Sequence, residues 1–191
     1  MEFRIGILIS GHGSNMLNII DACEEKRLKS KVVLVISDTL DAGGINKAIK
    51  RKINTVVLEK KEIGSRSKFE KEVIKNLINF KINLLCLAGF MQILSEKFIN
   101  EWKHKIINIH PSLLPSYKGL NTHKRVIDAK EKFSGCTVHY VNKDLDGGEI
   151  IKQTKVRILN SDNEISLKKK ILKEEHKLYI SVIKDLESKH G

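Results

Sequence analysis

The residues from Phe3 to Ile9, F-R-I-G-I-L-I, carry almost no polar side chain, and they run straight into Ser10-Gly11-His12-Gly13-Ser14-Asn15. A strand with one wet face alternates apolar and polar positions. One so uniformly apolar is covered on both faces, which is the condition of a strand inside a parallel sheet. Met16, Leu17, Ile19, Ile20 and Cys23 follow at helical spacing. Strand, glycine turn and helix in that order predict an α/β fold with crossover helices. The same turn aims backbone N–H groups and a helix N-terminus at an anion, which makes Gly13, Ser14 and Asn15 candidates for holding a phosphate. G-x-G-S-N falls short of the full dinucleotide fingerprint; the plain alternative is a tight turn with Ser14 or Asn15 as the helix cap.

The pattern repeats along the chain. Val32 to Ile36 and Thr55 to Leu58 read as strands, with a turn at Asp41 to Gly44 and a helix from about Ile45 to Arg51 between them. Glu59 to Ser65 reads as a polar loop. Ser67 and Glu70 have the spacing of a capping box, and Phe69, Val73, Ile74, Leu77 and Ile78 form one apolar helix face. Arg66, at that helix start, opposes the helix dipole, so it is either tolerated there or faces a ligand carboxylate. Leu84 to Ala88 is a further strand, and it ends in Gly89-Phe90-Met91-Gln92-Ile93-Leu94. That loop is apolar for a surface segment, and it lies where open α/β sheets bind ligands. It suits a flat heterocycle or, equally, packing under a helix. After a strand at Ile106 to Ile109 and a helix over Thr122 to Lys132, Cys136 to Val141 alternates with Thr137 and His139 on one face. Asn142 to Gly148 is an acidic turn, and Glu149 to Gln153 returns as the hairpin partner. A helix from about Ser166 to Leu186, interrupted by the polar cluster Glu174, Glu175 and His176, completes a sheet that begins parallel and ends antiparallel.

At 191 residues one domain is expected, with enough chain to bury a core. No apolar run approaches the roughly 20 residues of a membrane span. A strand that starts at Phe3 leaves no room for a secretory leader, so the expectation is a cytoplasmic protein. Three cysteines far apart, with no C-x-x-C, read as core thiols. The formal charge of +12 admits nucleic acid or an anionic small molecule. The lysines are spread, however, and no basic stripe is interleaved with aromatics as single-strand binding requires. Neither nucleic acid nor a membrane is an expected partner.

Ile106 to Leu120, I-I-N-I-H-P-S-L-L-P-S-Y-K-G-L, is the densest stretch for chemistry, and it holds both prolines of the chain. Asn108 and His110, two apart on a strand, share a face, and the prolines stiffen the loop beyond them. With Asp146 they form the candidate catalytic constellation. A carboxylate beside an imidazole favours its charged form, an imidazolium and a carboxamide both donate to an oxyanion, and the imidazolium can pass a proton to a leaving amine. No Ser or Cys is placed to act as a nucleophile, so direct attack by a substrate group is expected. Asp146 can also be read as an ordinary turn residue. His104, His110, His123 and His139 lack metal-ligand spacing, and no metal is expected. The Leu114–Pro115 bond is a candidate for cis.

I-N-I-H-P-S-L-L-P-x-Y-x-G-L-x-T-H followed by V-H-x-V-x-x-x-L-D-G-G resembles the folate-dependent formyltransferase family, and the similarity runs from Ile5 to about Ile180. The resemblance implies a Rossmann-like, mostly parallel sheet flanked by helices, with an antiparallel C-terminal hairpin and a long C-terminal helix. It implies one formyltransferase domain over 1–191, with a nucleotide- or phosphate-binding half at about 1–100 and a catalytic and folate-binding half at about 101–191. It also implies transfer of the formyl group of 10-formyltetrahydrofolate, as cosubstrate, to the amino group of 5-phosphoribosylglycinamide in de novo purine biosynthesis, without metal, by a monomer or weak homodimer. It casts His110 as proton donor, Asn108 as oxyanion partner and folate contact, and Asp146 as the group raising the histidine's pKa. Gly13, Ser14, Asn15 and Glu175 match ribonucleotide contacts, while Arg66, Met91, Gln92, Ile93 and Leu94 match folate contacts. The sequence departs at Gln92, where many members have Arg; at His12, where Asn is common; and at Lys118, where Pro or Arg is usual. A hydrolase of the same folate, or methionyl-tRNA formyltransferase, shares the central motifs. Each carries an added domain that this chain is not expected to have. The remaining alternative is a basic nucleic-acid-binding module.

Overall fold

The computed structural model describes residues 2–190. Five parallel strands come first: β1 (Arg4–Ile9), β2 (Lys31–Ser37), β3 (Asn54–Val57), β4 (Leu84–Leu87) and β5 (Ile106–His110). β6 (Phe133–Tyr140) and β7 (Ile150–Arg157) continue the sheet antiparallel. The spatial order is β3-β2-β1-β4-β5-β6-β7, so the order reverses between β1 and β4. The crevice outside that reversal is where open α/β sheets seat ligands.

The uniform apolarity of β1 has the cause read from the sequence. Ile5, Ile7 and Ile9 pack into one core with α1 (Ser14–Glu24), α2 (Gly43–Lys50), α6 (Thr122–Asp128) and α7 (Glu164–Ser188). Leu8 faces the opposite core with α4 (Arg66–Asn79) and α5 (Glu96–Glu101). α7 is clamped to the sheet by Tyr179, which is fully buried and whose hydroxyl is shared between the Leu87 carbonyl at 2.9 Å and the Ile107 carbonyl at 3.2 Å. Removing the donor leaves two buried carbonyls short of a partner. Tyr179→Phe is expected to cost about 1–2 kcal/mol, a fall of several degrees in a thermal melt of the two proteins side by side.

Local details depart from the sequence reading where a cap is shared or a helix is short. α4 is capped by Ser65, whose Oγ accepts from the Lys68 N–H, rather than by Ser67. Glu70 is instead buried and accepts from the Ser95 N–H and hydroxyl at 2.6 and 2.5 Å. α1 is capped by Gly13, with Ser14 already inside the helix. α7 starts at Glu164 behind a capping box formed by Asn163 and Ser166. α6 stops at Asp128 instead of reaching Lys132, because Lys130 turns into the left-handed region to feed β6. α3 (Lys60–Ile63) lies in the expected polar loop, and α5 was not expected at all. The Leu114–Pro115 bond is cis, as the motif led us to expect.

Candidate active site

β5 delivers Asn108 and His110 to one face of its carboxyl end. β6 pairs with it antiparallel, setting Asn108 opposite His139 and His110 opposite Thr137. The loop after β6 carries Asp146 back over the same point. Asp146 takes a positive φ of 48°, a conformation that Asp tolerates better than most residues. Behind it the chain has no room for a side chain: a Cβ on Gly148 would lie 1.7 Å from the Tyr140 carbonyl oxygen.

The result is one buried polar network. Asp146 Oδ2 is 3.3 Å from His110 Nδ1 and accepts from the Gly119 N–H at 2.8 Å. His110 Nε2 donates to the Tyr117 carbonyl at 2.9 Å. The Asn108 amide donates to His139 Nε2 at 3.2 Å and reaches Asp146 Oδ1 at 3.5 Å. His139 Nδ1 is 2.8 Å from the Tyr140 carbonyl. A carbonyl only accepts, so Nδ1 bears the His139 proton and Nε2 is free to accept. That choice fixes the Asn108 amide. One N–H is committed to His139, and the other, at the 3.5 Å limit of a hydrogen bond, is the one an incoming oxygen can recruit.

The proline loop is held from beneath. The Thr137 hydroxyl donates to the Ser112 carbonyl at 2.7 Å, and Gln153 Nε2 donates to the Leu114 carbonyl at 2.8 Å. Arg125 donates to the Lys118 carbonyl at 2.6 Å. This stitching presents the Tyr117 carbonyl to His110 and the Gly119 N–H to Asp146.

The charge balance adds burial to the expected pull of Asp146. Burial pushes the His110 pKa down, and the upward pulls of the Tyr117 carbonyl and Asp146 do not overcome it, so the ring lies below the ordinary histidine value. The sequence supplied the carboxylate but not the depth of burial, and desolvation wins. Burial also pushes Asp146 upward, but contact with His139, the Gly119 N–H and charge on His110 outweigh it and hold the carboxyl below its usual range. Both ring nitrogens face acceptors, the Tyr117 carbonyl and Asp146 Oδ2, so an uncharged ring keeps its one proton on Nε2 and turns a bare Nδ1 toward the carboxylate.

Two further groups of expected residues assemble on the same edge of the sheet. Gly13, at φ 71°, opens α1 with no side chain capping its first turn, which leaves the N–H groups of Ser14 and Asn15 for other partners. Asn15 is buried with its Oδ1 unpartnered. Glu175, on α7, is buried beside it and is not on a solvated helix face; burial pushes its carboxyl up to about 7 against the pull of Asn15. Across the strand reversal, Arg66 and Met91 to Leu94 line a cleft of about 280 Å³ together with Asp38 and Glu70. Met91 and Ile93 are 64% and 58% exposed and so are not packed under a helix, whereas Leu94 is buried against α4 and α5. The loop is pinned at its start, where Ser10 Oγ accepts from the Met91 N–H at 2.9 Å, and at its end by Glu70. β1, β4 and β5 are neighbours, so the glycine turn, the apolar loop and the Asn108–His110 pair follow three adjacent strands.

His139 was weighed in the sequence only as a metal ligand. Its place against Asn108 follows from pairing β5 with β6, which the alternation of C-T-V-H-Y-V could have signalled. Among the described residues, no three His, Cys, Asp or Glu side chains are grouped to hold a metal ion.

A family model described as formyl transferase matches residues 3–183. Phosphoribosylglycinamide formyltransferase of Haemophilus influenzae is 39% identical over 181 residues, 95% of this chain and 85% of that protein. The trifunctional purine biosynthetic protein adenosine-3 of Drosophila melanogaster is 44% identical over 175 residues, 91% of this chain; the chain spans only 13% of that longer protein. A crystal structure of phosphoribosylglycinamide formyltransferase from Brucella melitensis superposes with a TM-score of 0.92 at 40% identity, covering 97% of this chain and 96% of that one. With a match this long joined to the network at the end of β5, the chain belongs to the formyl transferase family.

Proposed function

We propose that this chain transfers the formyl group of 10-formyltetrahydrofolate to the amino group of 5-phosphoribosylglycinamide, as a step of de novo purine biosynthesis. The observation that carries the reading is the contact between His110 and Asp146, with Asn108 held beside them, at the strand end between an anion-binding helix start and an apolar cleft. The cleft fits the folate: an apolar wall from Met91 to Leu94 suits a flat heterocycle, and Arg66 at its rim suits a carboxylate. Gln92 supplies a neutral amide there, so the folate contact at that position is made by the backbone. Gly13, Ser14 and Asn15 hold the phosphate, and Glu175 holds the ribonucleotide body. On this reading 1–191 is one catalytic domain. Its first hundred residues, roughly, grip the phosphate and lend Arg66 and 91–94 to the folate surface of the remainder. We further assign it to the cytoplasm, as a monomer or weak homodimer without nucleic-acid partners. Among the described residues no helix is long and apolar enough to cross a membrane.

In the reaction the glycyl nitrogen adds to the formyl carbon, and the carbonyl oxygen gains negative charge. The second N–H of Asn108 donates to that oxygen. The adding amine must shed a proton, and the departing folate nitrogen must gain one as its bond to the formyl carbon breaks. An uncharged imidazole beside a carboxylate can take the first proton and return the second, with Asp146 stabilising the ring while it is charged. The test is an assay of formyl transfer with the ribonucleotide, water and methionyl-tRNA as competing acceptors. Formylated ribonucleotide as the dominant product is expected; faster hydrolysis, or formyl-methionyl-tRNA, would overturn the assignment.

A further inference from the structure

The segment 117–121 carries both groups that hold the catalytic pair from behind. The Tyr117 carbonyl accepts from His110 Nε2 at 2.9 Å, and the Gly119 N–H donates to Asp146 Oδ2 at 2.8 Å. Its backbone is left-handed at every second residue: φ is 56° at Tyr117, 78° at Gly119 and 56° at Asn121. Glycine takes that region freely, whereas an aromatic residue rarely does. Such a conformation persists only where the surroundings enforce it. Arg125, on α6, supplies the enforcement. Its Nη1 donates to the Lys118 carbonyl at 2.6 Å and to the Leu120 carbonyl at 3.3 Å, and its guanidinium carbon lies 5.4 Å from the centre of the Tyr117 ring. The ring is fixed at its far end as well, where the hydroxyl donates to Glu131 Oε1 at 2.8 Å.

One of these bonds reaches the site through a single rigid group. The Lys118 carbonyl and the Gly119 N–H belong to the same peptide unit. That unit is planar, with its C=O and N–H pointing in opposite directions. Fixing the oxygen therefore fixes where the N–H points. Arg125 grips the oxygen and Asp146 the N–H, so a guanidinium and a carboxylate face each other through one peptide plane. A cation on the carbonyl polarises the peptide and strengthens the hydrogen bond that its N–H makes. Lys124, the neighbouring cation on α6, takes no part in this: it is paired with Asp128 on the exposed side of the helix.

We propose that Arg125 is a positioning residue: through the Lys118–Gly119 peptide it aims the N–H that holds Asp146 against His110. The inference rests on the formyl-transfer reading above and deepens it. The test measures kcat and both KM values of the intact protein for wild type, Arg125→Met, Arg125→Lys and Lys124→Met, together with the Gly119 amide-proton resonance of each. Arg125→Met is expected to lower kcat about 10- to 30-fold and leave both KM values within about threefold, because the displaced pair acts on the reacting atoms and not on the binding surfaces. Arg125→Lys keeps a cation that can reach a carbonyl but loses the planar group over Tyr117, and it is expected to recover part of the loss, to about three- to fivefold below wild type. Lys124→Met is expected to stay within about twofold, since only an exposed ion pair is lost. The Gly119 amide proton is expected far downfield in wild type and Lys124→Met and shifted upfield in Arg125→Met, as its bond to Asp146 weakens. An Arg125→Met protein with kcat within about twofold of wild type, or with an unmoved Gly119 resonance, overturns the role of Arg125 and leaves the function standing. If wild type transfers no formyl group to the ribonucleotide, the functional reading fails and takes the catalytic role of Arg125 with it; the Gly119 resonance then still decides whether Arg125 aims the peptide.

Discussion

Asp146→Asn is expected to lower turnover by about two to four orders of magnitude at neutral pH, with the protein still folded. The amide is the same size as the carboxylate, and its oxygen can still accept from the Gly119 N–H that now lies 2.8 Å from Oδ2. It cannot carry the negative charge that stabilises His110 while the ring holds a proton. The loss should fall on kcat and leave both KM values within a few fold, since the charge acts on the ring and not on substrate binding. A second signature comes from linkage. The folded protein holds Asp146 below its ordinary pKa, so its charge contributes stability that is fully present above the unfolded carboxylate value, about 3.9. That contribution disappears as pH falls through the lower folded value. The variant should therefore melt below wild type at pH 7, and the gap should begin to close only below about pH 4. Steady-state kinetics together with melting curves at several pH values read both effects. Turnover within threefold of wild type would remove Asp146 from the mechanism, whatever the melts show.

The partnership of His110 with Asp146 marks where the sequence stopped being readable. β1 was legible because each of its faces is covered, so Ile5, Ile7 and Ile9 on one side and Leu8 on the other leave no polar position to confuse the period. Asn108 and His110 were legible as a pair because strand geometry alone puts them on one face. Asp146 looked as much like a turn residue as a catalytic one. What distinguishes the two is the antiparallel pairing of β5 with β6 and the left-handed backbone at 146, both set by contacts distant in sequence. The same distance hid His139, and it hid the cap of α4: Ser65 and Ser67 both fit the local rule, and Glu70 was taken by Ser95 of a later helix. α3 and α5, four and six residues long, are too short to show a helical period. Asp146 does pull the His110 pKa upward, as the motif implies, but the larger downward effect of burial depends on the whole fold and is not visible in a motif.

Glu175→Gln is expected to make the protein more stable and a poorer catalyst. Glu175 is 7% exposed, and burial pushes its carboxyl from 4.5 to about 7. The folded state therefore binds this proton more tightly than the unfolded state does. Stability on this account is highest below about pH 4.5, declines as pH rises toward 7, and stays lower above it. A climb of that size corresponds to a cost on the order of 3 kcal/mol at pH 8. Glutamine has the same shape and no charge to desolvate, and its N–H can donate to Asn15 Oδ1, which has no partner now. The variant should melt about 5–10 °C above wild type at pH 8 and show little gain at pH 5, where the wild-type carboxyl is already protonated. Its KM for the ribonucleotide should rise by about tenfold, because a charged acceptor gives way to a weaker neutral one. A carboxylate kept in apolar surroundings for structural reasons would show the opposite pattern, with stability falling on substitution and KM unmoved. Finding that pattern would take Glu175 out of the binding surface. The expected pair of changes would mean that the fold gives up stability at this position to keep a negative charge beside the first turn of α1.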